Sequence, residues 1–585
     1  MKTPLAPLMA LFVGILSAQI EMNYSYEMKY GDGKQVKSLT SDTTNYSYFE
    51  NLLDINTYYA DNIYLYTQFE YSNPPVYGYN RASIDSILST FYIEYSHDRF
   101  NVKLGDLYEL YGRGLSYHTF QDQNIDYNNS VRGLNVYYFL KENLKVSTLI
   151  GSGEYAFRSL PSNRTANYHF NSNTGLGAID YENQLLGYFQ AIYLVQQSFF
   201  PADKMYGEDG NSTLIETLCY EANAFGEDLS ATASIKTHTG SCYELGKYPY
   251  TVNTNNFNFT WNYFLGPMDI YIDKAWLYYD KIHADEVFGS RFYTSIYTEL
   301  FETGITYEYK NYFTPYLIKS LSNPPVVYRE GSSILASRNA HSMNFGNEIG
   351  HQLELNKNLF NKLNVVGNLS LSYRHQNDDM EYLSLIDFLL MDDNSHRRTV
   401  IDTIFIEDSN EMDSLNISYV NSFYDYYPFR QMYIEINGWA LSERLYYKMG
   451  MDHFTEYYNG KHTSAFTIPT HWLLKLSNGS SLTTYLETQW KSVKRVTPGE
   501  YTNHYLSISY SHLGKWIVTG FYDQEVKDSK TNTWLGGDLS YKISSETQVS
   551  LFYGSQKGGL VCANGICAEQ PGFEDGIKVT FRSLF

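Results

Sequence analysis

The sequence predicts an all-β protein, a single-chain antiparallel transmembrane β-barrel of the bacterial outer membrane. Three observations support this fold: alternation of apolar and polar residues, a regular exchange of short and long connections, and an excess of aromatic residues. Of the 585 residues, 59 are tyrosine, and aromatic residues make up 17% of the chain. Aromatic residues favour strands and form girdles at both membrane interfaces of such barrels. The expected barrel has about 26 strands, within a range of about 22 to 26.

The alternation is clearest in three stretches of the chain. Residues 20–29 read IEMNYSYEMK, with an apolar or aromatic residue at every second position. The same repeat returns at residues 363–374 and 482–491. Because side chains of a strand point to opposite faces in turn, each stretch has one apolar and one polar face. About ten residues is the length that a tilted strand needs to cross a bilayer.

The connections between the predicted strands alternate in length. Asn478-Gly479 is a strong signal for a tight hairpin turn. Outer-membrane barrels have short periplasmic turns and long extracellular loops, which is the pattern expected here with both termini in the periplasm. Short connections are expected near 96–99, 141–143, 225–227, 265–267, 301–303, 440–443, 477–479, 513–515 and 544–546. Long ones are expected near 31–45, 73–84, 107–130, 153–174, 197–213, 313–341, 376–428, 492–502 and 557–573.

The two ends of the chain fit export to the outer membrane. Residues 1–18 are expected to be a signal peptide, because a lysine at position 2 precedes a short apolar run and the small residues Ser17 and Ala18. Residues 19–585 then form one domain, the barrel. The predicted last strand ends on Phe585, as the last strand of bacterial outer-membrane proteins commonly does. Because the strand pattern starts at Ile20, a TonB-dependent transporter with an N-terminal plug domain is not expected.

Charge and cysteine content narrow the chemistry. The formal net charge of -21 lacks the basic footprint of a nucleic-acid-binding protein. Cys562 and Cys567 are candidates for a small disulfide-closed loop; a metal site there would need further ligands, and no histidine lies close in sequence. Cys219 and Cys242 are candidates for a second disulfide, with the connectivity left open. We expect no metal site, no cofactor and no nucleic-acid partner.

The connection 107–130 is the candidate functional element. It is rich in glycine and charge, and its expected constriction residues are Asp106, Glu109, Arg113 and, on the next strand, Arg132. Folded inward, these side chains line a pore with charges of both signs and set its ion selectivity. The alternative is an outward surface loop with ordinary ion pairs. The connections 313–341 and 376–428 are further candidates to fill the barrel, the latter as a loop folded over or into the mouth.

The residues around this loop also carry a resemblance. The runs 103–115 (KLGDLYELYGRGL) and 129–136 (NSVRGLNV) resemble a family of Bacteroidota outer-membrane barrel proteins of unknown function. They are similar in outline to the corresponding strand-loop-strand of alginate-export-type porins. A second matching stretch includes Pro324, Arg329, Arg338, His341, and Glu348-Ile-Gly350. The resemblance implies an outer-membrane barrel and no particular substrate, and the acidic character of this chain argues against alginate.

These observations predict a porin-like channel for small polar solutes, narrowed by the 107–130 loop. The alternative is a non-conducting scaffold or a component of a secretion or surface complex. The expected partners are outer-membrane lipid, a small polar solute and, for the alternative, an outer-membrane or secretion-complex protein. We do not expect an enzyme: a hydrolase would need His118 or His341 within hydrogen-bond reach of a carboxylate or serine.

Overall fold

The described part of the chain is dominated by strands that run antiparallel to their neighbours. The computed structural model describes residues 20–36, 43–60, 62–72, 87–123, 127–157, 168–200, 250–282, 285–314, 321–331, 333–339, 341, 343–344, 346–360, 362–375, 384–390, 397–403, 415–421, 426–458, 461–495, 499–528, 530–563, 566–570 and 572–585. Strands are numbered β1–β32 in chain order. Of these, 24 form one sheet, and β1 pairs with both β2 and β32, so the sheet closes into a barrel. Closure leaves no unpaired edge for lipid to meet.

The barrel strands follow one another around the wall in chain order. They are β1 (Ile20–Val36), β2 (Thr43–Tyr59), β3 (Ile63–Ser72), β4 (Leu88–His97), β5 (Phe100–Leu107), β10 (Val131–Lys141), β11 (Leu144–Phe157), β12 (Tyr168–Asn183), β13 (Gly187–Phe200), β14 (Tyr250–Leu265), β15 (Met268–Ile282), β16 (Asp285–Leu300), β17 (Thr303–Phe313), β18 (Asn347–Leu359), β19 (Leu363–Tyr373), β22 (Phe429–Ala440), β23 (Leu445–Tyr458), β24 (Lys461–Lys475), β25 (Ser480–Arg495), β26 (Gly499–His512), β27 (Trp516–Lys527), β28 (Lys530–Lys542), β29 (Thr547–Gln556) and β32 (Gly572–Leu584).

The connections carry the remaining elements. Short hairpin strands are β6 (Leu110–Tyr111), β7 (Tyr117–His118), β8 (Gln121–Asp122), β9 (Tyr127–Asn128), β20 (Arg397–Thr403), β21 (Leu415–Asn421), β30 (Gly559–Ala563) and β31 (Ile566–Gln570). In the described residues the helices are α1 (Ile334–Ser337) and α2 (Leu385–Leu390), with a 3₁₀ turn at Ser477–Gly479. Among the helices that the structure describes, none is long and apolar enough to cross a bilayer.

The observed number of 24 strands lies within the predicted range. The expected value of about 26 included one more hairpin around 225–227. Those residues lie outside the described part of the chain. However, β13 pairs directly with β14, with Phe200 opposite Tyr250, so no further strand lies between these two.

The predicted alternation of short and long connections is confirmed in outline. We call the rim with the tight turns the turn end and the opposite rim the loop end. Two connections expected to be long are mostly strand, because β1 continues to Val36 and β25 to Arg495. Beyond the membrane both faces of a strand meet water, so the ladder continues although the apolar alternation stops.

The pleat of the barrel wall is apolar outside and polar inside. In β22 the side chains of Gln431, Tyr433 and Glu435 are buried, whereas Met432 and Ile434 between them are 52% and 39% exposed. A soluble sheet buries its apolar face, so this reversed pattern marks the exposed face as the one that meets lipid. We call the two faces the outer and the lumenal face.

Aromatic side chains cluster on the outer face towards both rims. At the turn end Trp516 packs against Tyr541, with ring centroids 4.2 Å apart. Further towards the loop end Phe257 stacks on Trp276 at 5.7 Å. Both tryptophans are nearly half exposed. This arrangement is typical of the aromatic girdles at the two interfaces of a membrane barrel.

Candidate functional site

The connection between β5 and β10 turns into the lumen. We call residues 108–130 the first plug loop. The backbone N–H of Arg113 donates to Asp273 Oδ2 at 3.0 Å, and Ser116 Oγ donates to Asn256 Oδ1 at 3.0 Å. Asp273 and Asn256 are buried lumenal residues of β15 and β14. This part of the loop therefore takes the inward one of the two courses considered for it, while Gln121, Asp122 and Tyr127 further along the loop line a pocket with Asp106 and Arg132.

Apolar packing holds the first plug loop against the lumenal face. Leu115 and Tyr117 are fully buried. They belong to a cluster with lumenal side chains of the wall, among them Leu149, Leu194 and Leu277. The barrel thus contains a packed core in this sector, where a wide porin has water.

The connection between β17 and β18 also enters the lumen and meets the first loop. We call residues 321–346 the second plug loop. Arg291 of β16, which is buried, donates from Nη1 to the Leu115 carbonyl and to Ser322 Oγ, both at 2.7 Å. The backbone N–H of His118 donates to the carbonyl of Leu321. These contacts join the two loops into one plug.

The far part of the second plug loop is held by strands β25 and β27. Glu487 of β25 accepts hydrogen bonds from the backbone N–H groups of Ile334 (3.0 Å) and Leu335 (2.8 Å), at the start of α1. The first N–H groups of a helix lack intrahelical partners, and a carboxylate satisfies them well. Arg338, just after α1, forms a two-pronged ion pair with Asp523 of β27. The second loop therefore reaches from β17 across to β27.

A buried charge cluster anchors the end of the second plug loop. We call Lys310, His341, Glu348 and Glu456 the His341 cluster. Lys310 Nζ lies 2.6 Å from Glu348 Oε1. His341 lies 3.1 Å from Glu348 through Nε2 and 2.6 Å from Glu456 through Nδ1. The strands β17, β18 and β23 each supply one charged side chain, so the cluster ties the loop to the wall from several sides.

The protonation of His341 follows from these contacts. Burial by itself lowers the pKa of His341, but Glu348 and Glu456 outweigh burial and raise the pKa above its usual value. The protonated ring donates from both nitrogens, and the cluster then holds balanced charges. Its ring also stacks on Phe429, with centroids 4.0 Å apart.

The four predicted constriction residues do not form one group. Arg132 donates to Asp106 from Nε (2.9 Å) and Nη2 (3.1 Å), and the two residues are directly opposite each other on β10 and β5. Leu104 and Leu134, which are 52% and 39% exposed, pair two residues further along the same strands. By the two-residue repeat of the pleat, the Asp106–Arg132 pair shares their outer face.

The other two predicted residues lie on the lumenal side. Glu109 pairs with Lys103 of β5 at 3.3 Å. The guanidinium of Arg113 lies over the ring of Tyr271, 4.9 Å from its centroid. Charges of both signs therefore line the first plug loop, from Lys103, Glu109 and Arg113.

In the connection 376–428, which we call the third long loop, helix α2 does not take the expected course over or into the mouth. Phe388 of α2 is fully buried and stacks on Tyr373 of β19 at 4.3 Å. Tyr373 shares its strand face with Leu369, which is 42% exposed, so it belongs to the outer face. Helix α2 therefore packs on the outside of the barrel wall.

Several sequence predictions remain untested by these contacts. Residues 1–18 and the cysteines Cys219 and Cys242 lie outside the described residues. Cys562 and Cys567 occupy directly opposite positions in the hairpin of β30 and β31. Their disulfide stays a prediction.

The histidines considered for hydrolysis are used as structural groups. His118 Nδ1 lies 3.3 Å from the carbonyl oxygen of Asn323, and burial lowers the pKa of this histidine. His341 meets the condition of a nearby carboxylate. However, both of its nitrogens are bonded to carboxylates and its side chain is buried, so no face is left for a substrate.

Comparison with known proteins assigns the chain to a family. Residues 7–171 and 306–585 match a family described as a family of unknown function (DUF6029). The chain belongs to this DUF6029 family. Both plug loops and the His341 cluster lie within the matched residues. The predicted membership of a family of unknown function is thereby confirmed, whereas the Bacteroidota origin and the likeness to alginate-export-type porins stay predictions. No curated protein sequence matches the chain.

Solved structures similar to this DUF6029 protein include a translocation pore and two receptors. The P pilus usher (PapC) translocation pore is 8% identical, with a TM-score of 0.40 over 96% of this chain and 99% of that one. The ferric enterobactin receptor PfeA of Pseudomonas aeruginosa is 7% identical, with a TM-score of 0.42 over 96% and 80%. The siderophore receptor PirA of Acinetobacter baumannii is 10% identical, with a TM-score of 0.42 over 97% and 80%. At these identities the likeness concerns the fold alone.

Proposed function

We propose that the protein is a gated outer-membrane channel for small polar solutes, closed here by the two plug loops. The observation that carries the proposal is the kind of anchor that holds the second loop. Glu487, Asp523 and the His341 cluster bind it through charged groups. Replacing a buried ion pair with apolar packing often leaves the stability of a closed state unchanged or raises it. Charged anchors, in contrast, respond to protonation and to competing ions.

The character of the lumenal face supports passage of hydrated solutes. Polar side chains such as Gln190, Asn256, Asn258 and Glu435 point into the barrel. Lumens of this kind suit water and small polar molecules once the plug is displaced. Lys103, Glu109 and Arg113 then set charge selectivity beside the first plug loop. We expect the Asp106–Arg132 pair to contribute less to this selectivity, because its strand positions belong to the outer face, although it lines a pocket with Gln121 and Asp122 of the loop.

Conductance of the full chain in planar bilayers tests the proposal. The double variant Arg338→Ala/Glu487→Gln removes anchors of α1 and should open more often than the wild type. Glu546→Gln, an exposed carboxylate at the turn end, serves as the matched control and should behave like the wild type. If wild type and double variant both stay silent while folded and inserted, the channel is refuted.

A non-conducting scaffold is the second candidate function. The full burial of Leu115 and Tyr117 in the lumenal core favours it, because this packing resists displacement of the first plug loop. Such a barrel would present its long loops to an outer-membrane or secretion-complex partner. The silent outcome of the conductance experiment would support this function.

A further inference from the structure

Helix α2 covers a patch of the outer wall next to the loop end. Phe388 packs with Ile349, Leu371 and Tyr373, which are buried beneath the helix. The guanidinium of Arg430, on the neighbouring strand β22, lies 5.3 Å from the centroid of the Phe388 ring. Helix α2 is therefore seated by aromatic stacking, aliphatic contact and a cation–π contact.

The strand pleat fixes this patch on the outer face. Ser370 of β19 is buried on the lumenal side, where it accepts a hydrogen bond from the backbone N–H of Arg329 in the second plug loop. Leu369 and Leu371 flank Ser370 and point the other way. The helix and the plug therefore lie on opposite sides of the same strand.

The side of α2 that faces away from the wall carries two exposed apolar side chains, with the exposed Asp387 beside them. Ile386 and Leu389 are 68% and 51% exposed. Residues three apart in a helix lie on the same side, so these two form one apolar ridge. Ser384 caps the helix by accepting from the backbone N–H of Asp387 at 3.2 Å. Ser384 therefore specifies where the helix starts. The contacts of Phe388 with the wall fix the direction in which the apolar ridge points.

The wall patch under α2 is continuous with the lipid-facing belt of the barrel. Leu369, one outer-face position nearer the turn end than Leu371, is directly opposite Met432 on β22. Both side chains are largely exposed, at 42% and 52%. Since this belt meets acyl chains, a helix seated at its border holds the exposed Ile386 and Leu389 close to the same medium.

We propose that α2 is an interfacial anchor whose ridge inserts among the acyl chains of outer-leaflet lipid. It fastens the α2 segment of the third long loop to the outside of the barrel. Short amphipathic helices bind membranes in this way, through apolar side chains at the boundary of headgroups and acyl chains. The proposal depends on the membrane location of the barrel and is independent of whether the lumen conducts.

Photolabelling tests this proposal on the full chain in liposomes. A lipid with a photoreactive diazirine in its acyl chain is activated, and labelled peptides are mapped by mass spectrometry. We expect label on the peptide with residues 385–390 and on those with Leu369 and Met432, which serve as internal controls. In Ile386→Asn/Leu389→Asn, the label at 385–390 should fall several-fold, while label at Leu369 and Met432 stays.

Two outcomes would overturn the proposal. Label at Leu369 and Met432 without label at 385–390, at every protein-to-lipid ratio, means that the ridge does not meet acyl chains. Label at 385–390 that appears only when the protein is diluted in the bilayer means that a second copy of the chain covers the ridge.

Discussion

His341 of the second plug loop donates a hydrogen bond from Nδ1 to Glu456 of β23 over 2.6 Å. This contact joins the end of the loop to a strand that is distant in sequence, since 115 positions separate His341 from Glu456. It closes a chain of buried charges that continues through Glu348 to Lys310. The plug is therefore fastened to the wall by electrostatics at this point.

Replacing His341 with alanine should loosen the second plug loop. The change leaves the carboxylates of Glu348 and Glu456 buried without the imidazolium between them. Breaking a buried ion pair by removing one partner costs about 3–5 kcal/mol. Hydrogen exchange of residues 333–344 should therefore become faster by about 100-fold or more. His97→Ala, at an exposed turn-end position, should leave this exchange unchanged; equal exchange in wild type and His341→Ala would contradict the anchor.

Raising the pH should weaken the same anchor. Burial opposes the charge of His341, yet Glu348 and Glu456 raise its pKa. A raised pKa means that the stabilisation is fully present below the unfolded value of about 6.5 and is lost as the pH rises through the higher folded value. Two further groups lie close to this histidine and its partners. Within the cluster, Lys310 lies 2.6 Å from Glu348, and Tyr328 makes an edge contact with the His341 ring.

The measurement is the pH dependence of hydrogen exchange in the second plug loop, corrected for the intrinsic rate. Protection should fall as the pH rises above about 6.5 in the wild type. The variant His341→Gln cannot titrate, so its protection should be flat over the same range. A decline of equal size in both proteins would assign the effect to another group.

Gly112→Ala should displace the first plug loop. Gly112 has φ +59°, and a Cβ there would lie 2.7 Å from Asp273 Oδ2 and 2.9 Å from Thr260 Oγ1. The left-handed conformation alone costs a residue with a side chain about 1–2 kcal/mol. Gly514 has a similar φ of +66° but open space around it, so Gly514→Ala isolates the conformational cost. The melting temperature should drop more for Gly112→Ala than for Gly514→Ala. Equal drops would show that the contact with Asp273 is unimportant.

Glu487→Gln should release the start of α1. The carboxylate accepts from two backbone N–H groups, those of Ile334 and Leu335, whereas a glutamine amide has one accepting oxygen. One buried donor is then left unsatisfied, at a cost of about 1–3 kcal/mol. Exchange of the amides of residues 334 and 335 should rise, while that of the distant β1–β2 ladder stays. Unchanged exchange at 334 and 335 would mean that Gln489, which donates to the Leu335 carbonyl at 3.0 Å, suffices to hold the helix.

The barrel was predictable from sequence because lipid enforces an apolar residue at every second strand position. The strand face of the charged residues was predictable too: Asp106 has the same parity as Leu104, and Arg132 the same parity as Leu134. The alternation of strand faces therefore places both residues on the outer face. They were predicted to line a pore instead because the adjoining loop is rich in charged residues. The full His341 cluster was out of reach, since Glu456 lies on β23, 115 positions after His341, and nothing in the sequence relates the two. Charged residues at strand positions that face the lumen, such as Glu456 in β23, are the sequence signal that points to such anchors.

Charge variants on the two faces of the first plug loop should behave differently. Glu109 lies on the lumenal side beside Lys103, whereas Asp106 pairs with Arg132 on the outer face. In the anchor-release variant, which conducts under the proposed function, Glu109→Gln removes a negative charge from the path and should shift the reversal potential in a salt gradient towards anion preference. Asp106→Asn removes the same charge one strand face away, so it should shift the reversal potential less, although it weakens a buried hydrogen bond to Phe91. Equal shifts of the reversal potential from both variants would contradict a solute path along the lumenal side of this loop. Ions on that path should not respond equally to the loss of the Glu109 charge and of the Asp106 charge.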